Sequence, residues 1–164
     1  MAKARKRKVA PGDVASNRQA SYRYHLIERF ECGIVLTGTE VKSLRDGKAQ
    51  LKDSYATVRD GEVWLIGVYI PPYGPASREN HEPERPRKLL LHRSEIERLL
   101  ARTQERGLTL IPTRMYFSGT RSRAKVEIAL AKGKKSYDHR QDLAKRDATR
   151  EVERALGRRR KGMV

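Results

Sequence analysis

The sequence has few of the residues from which catalytic and metal sites are built. It contains one cysteine, Cys32, so an internal disulfide is excluded and a reducing compartment, the cytoplasm, is expected. None of the four histidines has the spacing of a zinc ligand. No nucleophile elbow, phosphate-binding glycine loop or pair of buried carboxylates is recognisable. The sequence therefore predicts no cofactor, no metal and no enzyme.

Long hydrophobic runs are also missing. No stretch approaches the roughly 18 apolar residues of a membrane-spanning helix, and the basic N-terminal segment is not followed by the apolar region of a secretory signal. The charge is heavily biased, since 37 Lys and Arg against 20 Asp and Glu give a formal net charge of +17. Such a field attracts polyanions, so the expected partner is nucleic acid and not a membrane.

The basic residues are concentrated at the two ends of the chain. Residues 1–16 are predicted to be a flexible basic arm, because five cations within the first eight residues are followed by Pro11 and Gly12. Residues 134–164 carry eleven Lys and Arg against five Asp and Glu, with helix-favouring residues but only a thin apolar seam. The intervening residues 17–133 are predicted to form one folded domain.

The middle of the chain follows the period-two alternation that is typical of β-strands. From Tyr22 to Leu36 the even positions are mostly apolar, which makes Cys32 a small core residue. The Asp-Gly pair at 60–61, between two apolar runs, predicts a hairpin, and a second hairpin is predicted with its turn near Gly119. Several short antiparallel strands predict a mainly β fold, a small closed or partly open barrel.

Two helices and a long loop are predicted between the strands. The first helix has Thr39 as its N-cap and Glu40 in its first turn. The second begins with a capping box of Ser94 and Glu97, and each helix ends at a glycine. Residues 71–88 hold five prolines without any period, which predicts a surface loop.

Two features of the expected surface suit RNA. Lys42 and Arg45 lie one turn apart on the solvent side of the first helix, although an ordinary solvated face would look the same. Glu31 lies on an otherwise basic strand face, where a carboxylate can accept hydrogen bonds from base edges or sugar hydroxyls. An ion pair of Glu31 with Arg29 or a lysine is the alternative.

The stretch RPRKLLLHR is a third candidate surface. Three consecutive leucines cannot all point inward from a strand, so Leu90 is predicted to face outward and His92 to share its face. The alternative is that the leucines begin the packing of the following helix. An exposed leucine beside an imidazole can stack on bases. Flanking cations would hold phosphates: Arg85, Arg87, Lys88 and Arg93.

Three stretches, GTEVKSLRDGKAQLKDSYATVRDGE, RPRKLLLHRSEI and AKGKKSYDHR, carry a resemblance, with weaker similarity at Asn17 and in FECGIVLTG. They resemble small protein B, the family of SsrA-binding proteins that are partners of bacterial transfer-messenger RNA. The resemblance implies a monomeric antiparallel barrel of the oligonucleotide-binding (OB) type with two or three short helices and a basic C-terminal tail. It also implies binding to the tRNA-like domain of that RNA and its delivery to stalled ribosomes for trans-translation.

The resemblance also assigns residues. It implies that the tail is unstructured when free and becomes helical in the decoding centre and vacant messenger channel of the 70S ribosome, against 16S ribosomal RNA. The family's usual tail motif, Asp-Lys-Arg, is Asp138-His139-Arg140 here, preceded by Tyr137. Neutral His139 would weaken a phosphate contact made by lysine or replace it by stacking. The implied RNA contacts are Glu31, Leu90 and His92, and further Asn17, Tyr24, Lys42, Arg45 and Lys88.

Two other functions remain open from the residues alone. A general RNA-binding or ribosome-associated basic protein would bind with a steep salt dependence and ignore RNA shape. A nuclease would need clustered carboxylates or a metal set that the sequence does not display.

Overall fold

The structure is a computed structural model that describes residues 13–76, 78–105, 107–118 and 123–162. The chain divides into two compact units, Met1–Lys132 and Gly133–Val164. The described residues form seven strands and four helices. In chain order they are β1 (Asp13–Ser16), α1 (Ala20–Arg23), β2 (Tyr24–Ile34), α2 (Gly38–Arg45), β3 (Tyr55–Arg59), β4 (Glu62–Ile66), β5 (Arg87–Leu90), α3 (Arg93–Thr103), β6 (Leu108–Ser118), β7 (Arg123–Gly133) and α4 (Ser136–Gly162).

The strands form one antiparallel sheet in the order β1-β6-β3-β4-β5-β2-β7, and β6 also pairs with β7. The predicted mainly β fold is confirmed. Two or three short helices and a basic C-terminal tail were expected, and the described residues contain three short helices, α1 to α3, together with α4 in the tail. The single turn of α1 carries no apolar period that would reveal it.

The two predicted hairpins are present. Strands β3 and β4 pair through Arg59 and Glu62, and the two residues between them, Asp60 and Gly61, both have positive φ (52° and 73°). A two-residue turn of this kind matches the twist of the strands, and glycine adopts it without steric cost. Strands β6 and β7 pair along their length, from Ser118 opposite Arg123 at the end nearest the predicted turn to Leu108 opposite Lys132 at the far end. The turn predicted near Gly119 lies outside the described residues.

Strand β2 carries the predicted alternation. Phe30 and Cys32 are buried, whereas Arg29 and Glu31, which alternate with them, are exposed. This inner face joins the main hydrophobic core, which also holds Leu65, Leu89, Leu110, Met115 and Ile128. The outer face of β2 therefore carries polar side chains.

The free thiol of Cys32 is expected to be chemically inert in the folded protein. Burial, with a smaller contribution from the nearby carboxylates, raises its pKa from 9.0 to about 12. An alkylating reagent at pH 8 should therefore modify Cys32 only after unfolding. Since the unfolded thiol ionises near pH 9, this group should also reduce the free energy of unfolding, and so destabilise the fold, as the pH rises from 9 towards 12. Rapid alkylation of the native protein at pH 8, followed by mass spectrometry, would contradict this prediction.

Two sequence predictions fail at element boundaries. The predicted flexible arm reaches residue 16, but Asp13–Ser16 form β1 and pair with β6, so this part of the prediction is wrong. Residues 1–12 lie outside the described residues. The first helix was predicted to start with Thr39 as N-cap, whereas the N-cap is Thr37, which has extended backbone angles. Thr39 lies inside the first turn, where its hydroxyl bonds to His81 instead.

The basic tail forms the long helix α4, Ser136–Gly162. Its apolar side chains Leu143, Val152 and Leu156 are exposed, as expected for a thin seam. Whether the tail is unstructured before it meets a partner stays a prediction. Among the described residues, no helix is long and apolar enough to cross a membrane.

Candidate nucleic-acid interface

A groove of about 650 Å³ brings three predicted site residues together. Glu31 comes from β2, Leu90 from the end of β5, and His92 from the turn between β5 and α3. The groove combines a carboxylate, apolar surface, an imidazole and cations, which is a combination suited to an unstacked base and its phosphates. Its lining consists of Glu31, Gly33, Ile34, Leu36, Val41, Leu90, Leu91, His92, Glu95, Phe117, Arg123, Ala124 and Lys125.

Leu90 projects outward because of its place on β5. The strand alternates buried Arg87, half-buried Lys88, buried Leu89 and exposed Leu90, whose relative exposure is 51%. Opposite it on β2 is Gly33, where an added Cβ would lie 3.2 Å from the Cβ of Leu90. The glycine thus leaves room for Leu90 beside the strand. The prediction that this leucine faces solvent is confirmed.

His92 lies in the groove as the N-cap of helix α3. Its backbone N–H donates a hydrogen bond to Glu95 Oε2 at 3.3 Å, and its side chain is exposed. The capping box predicted for Ser94 and Glu97 is therefore wrong by two residues, because the chain turns into the helix directly after β5. The helix start fixes the backbone of His92 beside Leu90.

Glu31 is an exposed carboxylate with defined partners. The hydroxyl of Tyr116 donates a hydrogen bond to Glu31 Oε2, and Lys125 Nζ lies 4.0 Å from Glu31 Oε1. The predicted alternative, a pair with Arg29, does not form, since Arg29 Nη1 bonds to Glu127 Oε1 at 3.0 Å. The other predicted alternative, an ion pair with a lysine, is present: its partner is Lys125, at a distance of 4.0 Å that is long for such a pair.

A buried ion cluster that the sequence did not predict joins α2 and β5, two elements that contribute residues to the groove. Glu40 is fully buried in α2, and both Arg85 and Arg87 bond to its carboxylate; Arg87 Nε lies 3.2 Å from Glu40 Oε2. Arg87 also donates to the carbonyl oxygens of Val68 (2.8 Å) and Pro83 (3.0 Å). Burial lowers the pKa of Arg87, and the charge of Glu40 opposes that shift. This cluster ties α2 to β5 and the loop before it.

Two of the cations predicted to hold phosphates are consequently unavailable. Arg87 is fully buried and Arg85 forms an ion pair with Glu40, so neither can serve as a free phosphate ligand. Lys88 is half-buried, and its Nζ lies 2.7 Å from Glu62 Oε1. An RNA contact by Lys88 would have to compete with this ion pair.

Lys42 and Arg45 are both exposed on α2, as predicted. Lys42 Nζ lies 5.5 Å from the centre of the Tyr73 ring, within reach of a cation–π interaction. The preceding residue, Val41, lines the groove. Lys42 is thus next in sequence to a groove residue but does not itself line the groove.

Asn17 and Tyr24 lie at a second hollow, of about 300 Å³, that shares no lining residue with the groove. Asn17 Nδ2 donates to the carbonyl oxygen of Pro112 at 3.1 Å, so its amide anchors the chain between β1 and α1. Tyr24 packs against a small core cluster. The structure thus separates these two predicted contacts from Glu31, since they lie at the opposite end of β2.

The four predicted tail residues occupy the first turn of α4. Tyr137 is largely exposed, and its hydroxyl accepts a hydrogen bond from Gln141 Nε2 at 2.8 Å. Asp138 Oδ2 accepts the backbone N–H of Lys135 at 3.1 Å, which satisfies one free donor at the helix start. The backbone N–H of His139 bonds to the carbonyl of Lys135, and Arg140 is exposed.

Several residues of the groove were missed by sequence reasoning. Phe117, Arg123 and Lys125 belong to the β6–β7 hairpin, whose strands were predicted but whose position beside β2 was not. No local pattern signals this long-range neighbour. Within the described ranges, no group of three or more His, Cys, Asp or Glu side chains is placed to hold a metal ion.

Comparison with known proteins places the chain in a family. The model of the SmpB protein family matches residues 14–158. The SsrA-binding protein of Saccharopolyspora erythraea is 59% identical over 162 residues, covering 99% of each chain, and that of Acidothermus cellulolyticus is 60% identical over 149 residues, covering 91% of this chain and 92% of the relative.

A solved structure is similar as well. A chain from "tmRNA-SmpB: a journey to the center of the bacterial ribosome" superposes with a TM-score of 0.65 at 45% identity. The match covers 79% of this chain and 93% of that chain. The chain therefore belongs to the SmpB protein family.

Proposed function

We propose that this protein is a non-enzymatic RNA-binding adaptor of the cytoplasm. It binds the tRNA-like domain of transfer-messenger RNA as a monomer and delivers it to stalled 70S ribosomes for trans-translation. Membership of the SmpB family and the likeness to SsrA-binding proteins and to tmRNA-SmpB support this function. The observation that carries it in the molecule is the convergence of Glu31, Leu90 and His92 on one groove.

The groove suits RNA more than a protein or small metabolite because of its mixed lining. Leu90 and Phe117 offer apolar surface on which a base can stack, while Arg123 and Lys125 supply positive charge for phosphates. The Glu31 carboxylate can only accept hydrogen bonds, so it selects donors such as base amino groups and ribose hydroxyls. A surface with this composition distinguishes RNA features and does not only neutralise charge.

The sheet pairing supports an OB-type barrel. Pairings run from β6 through β3, β4, β5 and β2 to β7, and β6 pairs with β7 in addition, so each of these six strands has at least two neighbours. Closure of a small sheet removes the exposed edges that would invite aggregation. OB-type barrels bind oligonucleotides on their strand faces and loops, which agrees with the place of the groove.

The basic tail is proposed to act separately, in the decoding centre and vacant messenger channel. Residues 133–164 form a compact unit of their own, which supports independent action. The exposed side chains of α4 are mostly charged with an excess of cations, suited to a channel lined by ribosomal RNA. Tyr137 and Arg140 are exposed at its start and available for stacking and phosphate contact.

The test compares the full chain with a version that ends at Gly133. Each is titrated with the tRNA-like domain of transfer-messenger RNA and with an unrelated hairpin, at low and moderate salt. Both proteins are expected to bind the tRNA-like RNA with similar affinity at moderate salt and the hairpin more weakly. Only the full chain is expected to support trans-translation on stalled ribosomes.

The opposite result would indicate a general polyanion binder. In that case the two RNAs bind alike, affinity collapses when the tail is removed, and moderate salt abolishes binding to both. The proposed roles of Glu31, Leu90 and His92 would then fall together with the adaptor function.

A further inference from the structure

We infer that Tyr116 is a positioning residue for RNA recognition, because its hydroxyl fixes the Glu31 carboxylate in the groove. This inference rests on the proposed function. Tyr116 does not line the groove and is nearly buried on β6, so it acts through Glu31 and not on the RNA.

A row of side chains crosses three neighbouring strands. Tyr116 on β6 pairs with Lys125 on β7, and both reach Glu31 on β2. The hydroxyl of Tyr116 bonds to Glu31 Oε2, and Lys125 lies 4.0 Å from Oε1. The Tyr116 hydroxyl on β6 thus holds one carboxylate oxygen of Glu31, while 59% of the Glu31 side chain remains exposed to a ligand.

Tyr116 is itself held by a network of charged side chains from β1, β6 and β7. The guanidinium of Arg114 lies 4.4 Å from the centre of the Tyr116 ring. Arg114 is fixed by Glu127, at 3.2 Å from Nε, and by Asp13, at 3.3 Å from Nη1. Burial alone would raise the pKa of Glu127, but the hydrogen bonds from Thr113 and Arg114 and the charges of Arg114 and Arg29 together lower it, which keeps this carboxylate charged.

The Tyr116 hydroxyl also keeps its proton at neutral pH and so remains a hydrogen-bond donor. Burial, followed by the hydrogen bond to Glu31, raises the pKa of Tyr116 well above its ordinary value of 10.0. The phenol therefore stays protonated, and only the protonated hydroxyl can donate a hydrogen bond. An exposed glutamate without such a donor would sample several rotamers and would lose that freedom on binding RNA.

Tyr116→Phe tests the inference because it keeps the ring against Arg114 and removes only the donor. At moderate salt, we expect its affinity for the tRNA-like RNA to fall about three- to tenfold, the range for ordering one side chain on binding. Glu31→Gln should lose at least as much. The double variant Tyr116→Phe/Glu31→Ala should bind like Glu31→Ala alone, since alanine leaves the hydroxyl no acceptor at position 31.

A matched control is Tyr69→Phe, which removes a hydroxyl from a half-buried tyrosine outside the groove and should bind like the wild type. Thermal melting checks that each variant is folded at the binding temperature. Glu31→Asp gives an independent test at an exposed position, because the shorter side chain withdraws the carboxylate from Tyr116 but keeps its charge. It should also weaken binding.

The outcomes separate the two proposals. If Glu31→Gln weakens binding while Tyr116→Phe and Glu31→Asp bind like the wild type, the positioning role is overturned and the groove remains the RNA site. If Tyr116→Phe weakens binding equally with and without Glu31, its effect is only structural and the inference also fails. If Glu31→Gln binds like the wild type, both the inference and the proposed groove are overturned.

Discussion

Glu40→Ala is expected to lower the free energy of unfolding by about 3 to 5 kcal/mol and the melting temperature by about 10 to 20 °C. The change leaves Arg87 fully buried without its charged partner, and burial already lowers the pKa of that arginine. A guanidinium cannot escape by losing its proton at neutral pH, so the folded state bears the whole penalty. Thermal and urea unfolding followed by circular dichroism would measure both quantities.

Two controls make this experiment specific. Glu97→Ala removes the acid of an exposed pair with Arg93 on α3 and should leave the melting temperature nearly unchanged. Replacing both partners, as in Glu40→Leu/Arg87→Met, should cost less than Glu40→Ala alone, because no buried charge is left unpaired. A melting temperature of Glu40→Ala within a degree of the wild type would contradict a structural role for the buried cluster.

Leu90→Glu is expected to reduce affinity for the tRNA-like RNA about 10- to 100-fold, the equivalent of losing one stacked base. The substitution removes the exposed apolar surface of the groove and adds a negative charge close to Glu31, which repels phosphates. The fold should be unaffected, because Leu90 is 51% exposed. Fluorescence anisotropy with labelled RNA at moderate salt would measure the change.

The matched control is Leu100→Glu on α3. Leu100 is also an exposed leucine, at 41%, but it lies outside the groove lining. Both variants change the net charge equally, so any general effect of charge on RNA binding is common to them. Equal losses of affinity for the two variants would show that the groove has no special role.

The parts of the fold that could be predicted from the sequence are those fixed by local rules. The hairpin at Asp60 and Gly61 follows from a two-residue turn that needs positive φ. The alternation along β2 follows from one buried face, and it placed Cys32 inside and Glu31 outside correctly. The outward direction of Leu90 follows from the same period on a strand of four residues.

The predictions that failed concern residues whose interaction partners are distant in the sequence. Glu40 was expected to serve the helix start, and Arg87 to hold phosphates, because charged residues are rarely fully buried unless they are paired. Their pairing joins positions 47 residues apart in the chain, which no local period can signal. Similarly, Thr37 replaces Thr39 as the N-cap while Thr39 bonds to His81, a buried residue of the loop that was predicted to lie on the surface.

The candidate site shows the same division. The three residues Glu31, Leu90 and His92 could be selected from residue type and resemblance, and the structure brings them into one groove. Tyr116, which holds Glu31, could not be selected, because its effect depends on the neighbouring positions of β6, β7 and β2. Asn17 and Tyr24 were grouped with the others by resemblance, but they lie elsewhere.

The length of β2 sets the smallest footprint of any RNA that uses both hollows. Tyr24 and Glu31 are seven steps apart on this strand, which at about 3.3 Å per step is roughly 23 Å. A mononucleotide or dinucleotide can therefore compete at one end of the strand but cannot bridge the two. Simultaneous contact requires an RNA that spans this distance, so the separation of the two hollows along β2 sets a minimum length for a ligand that occupies both.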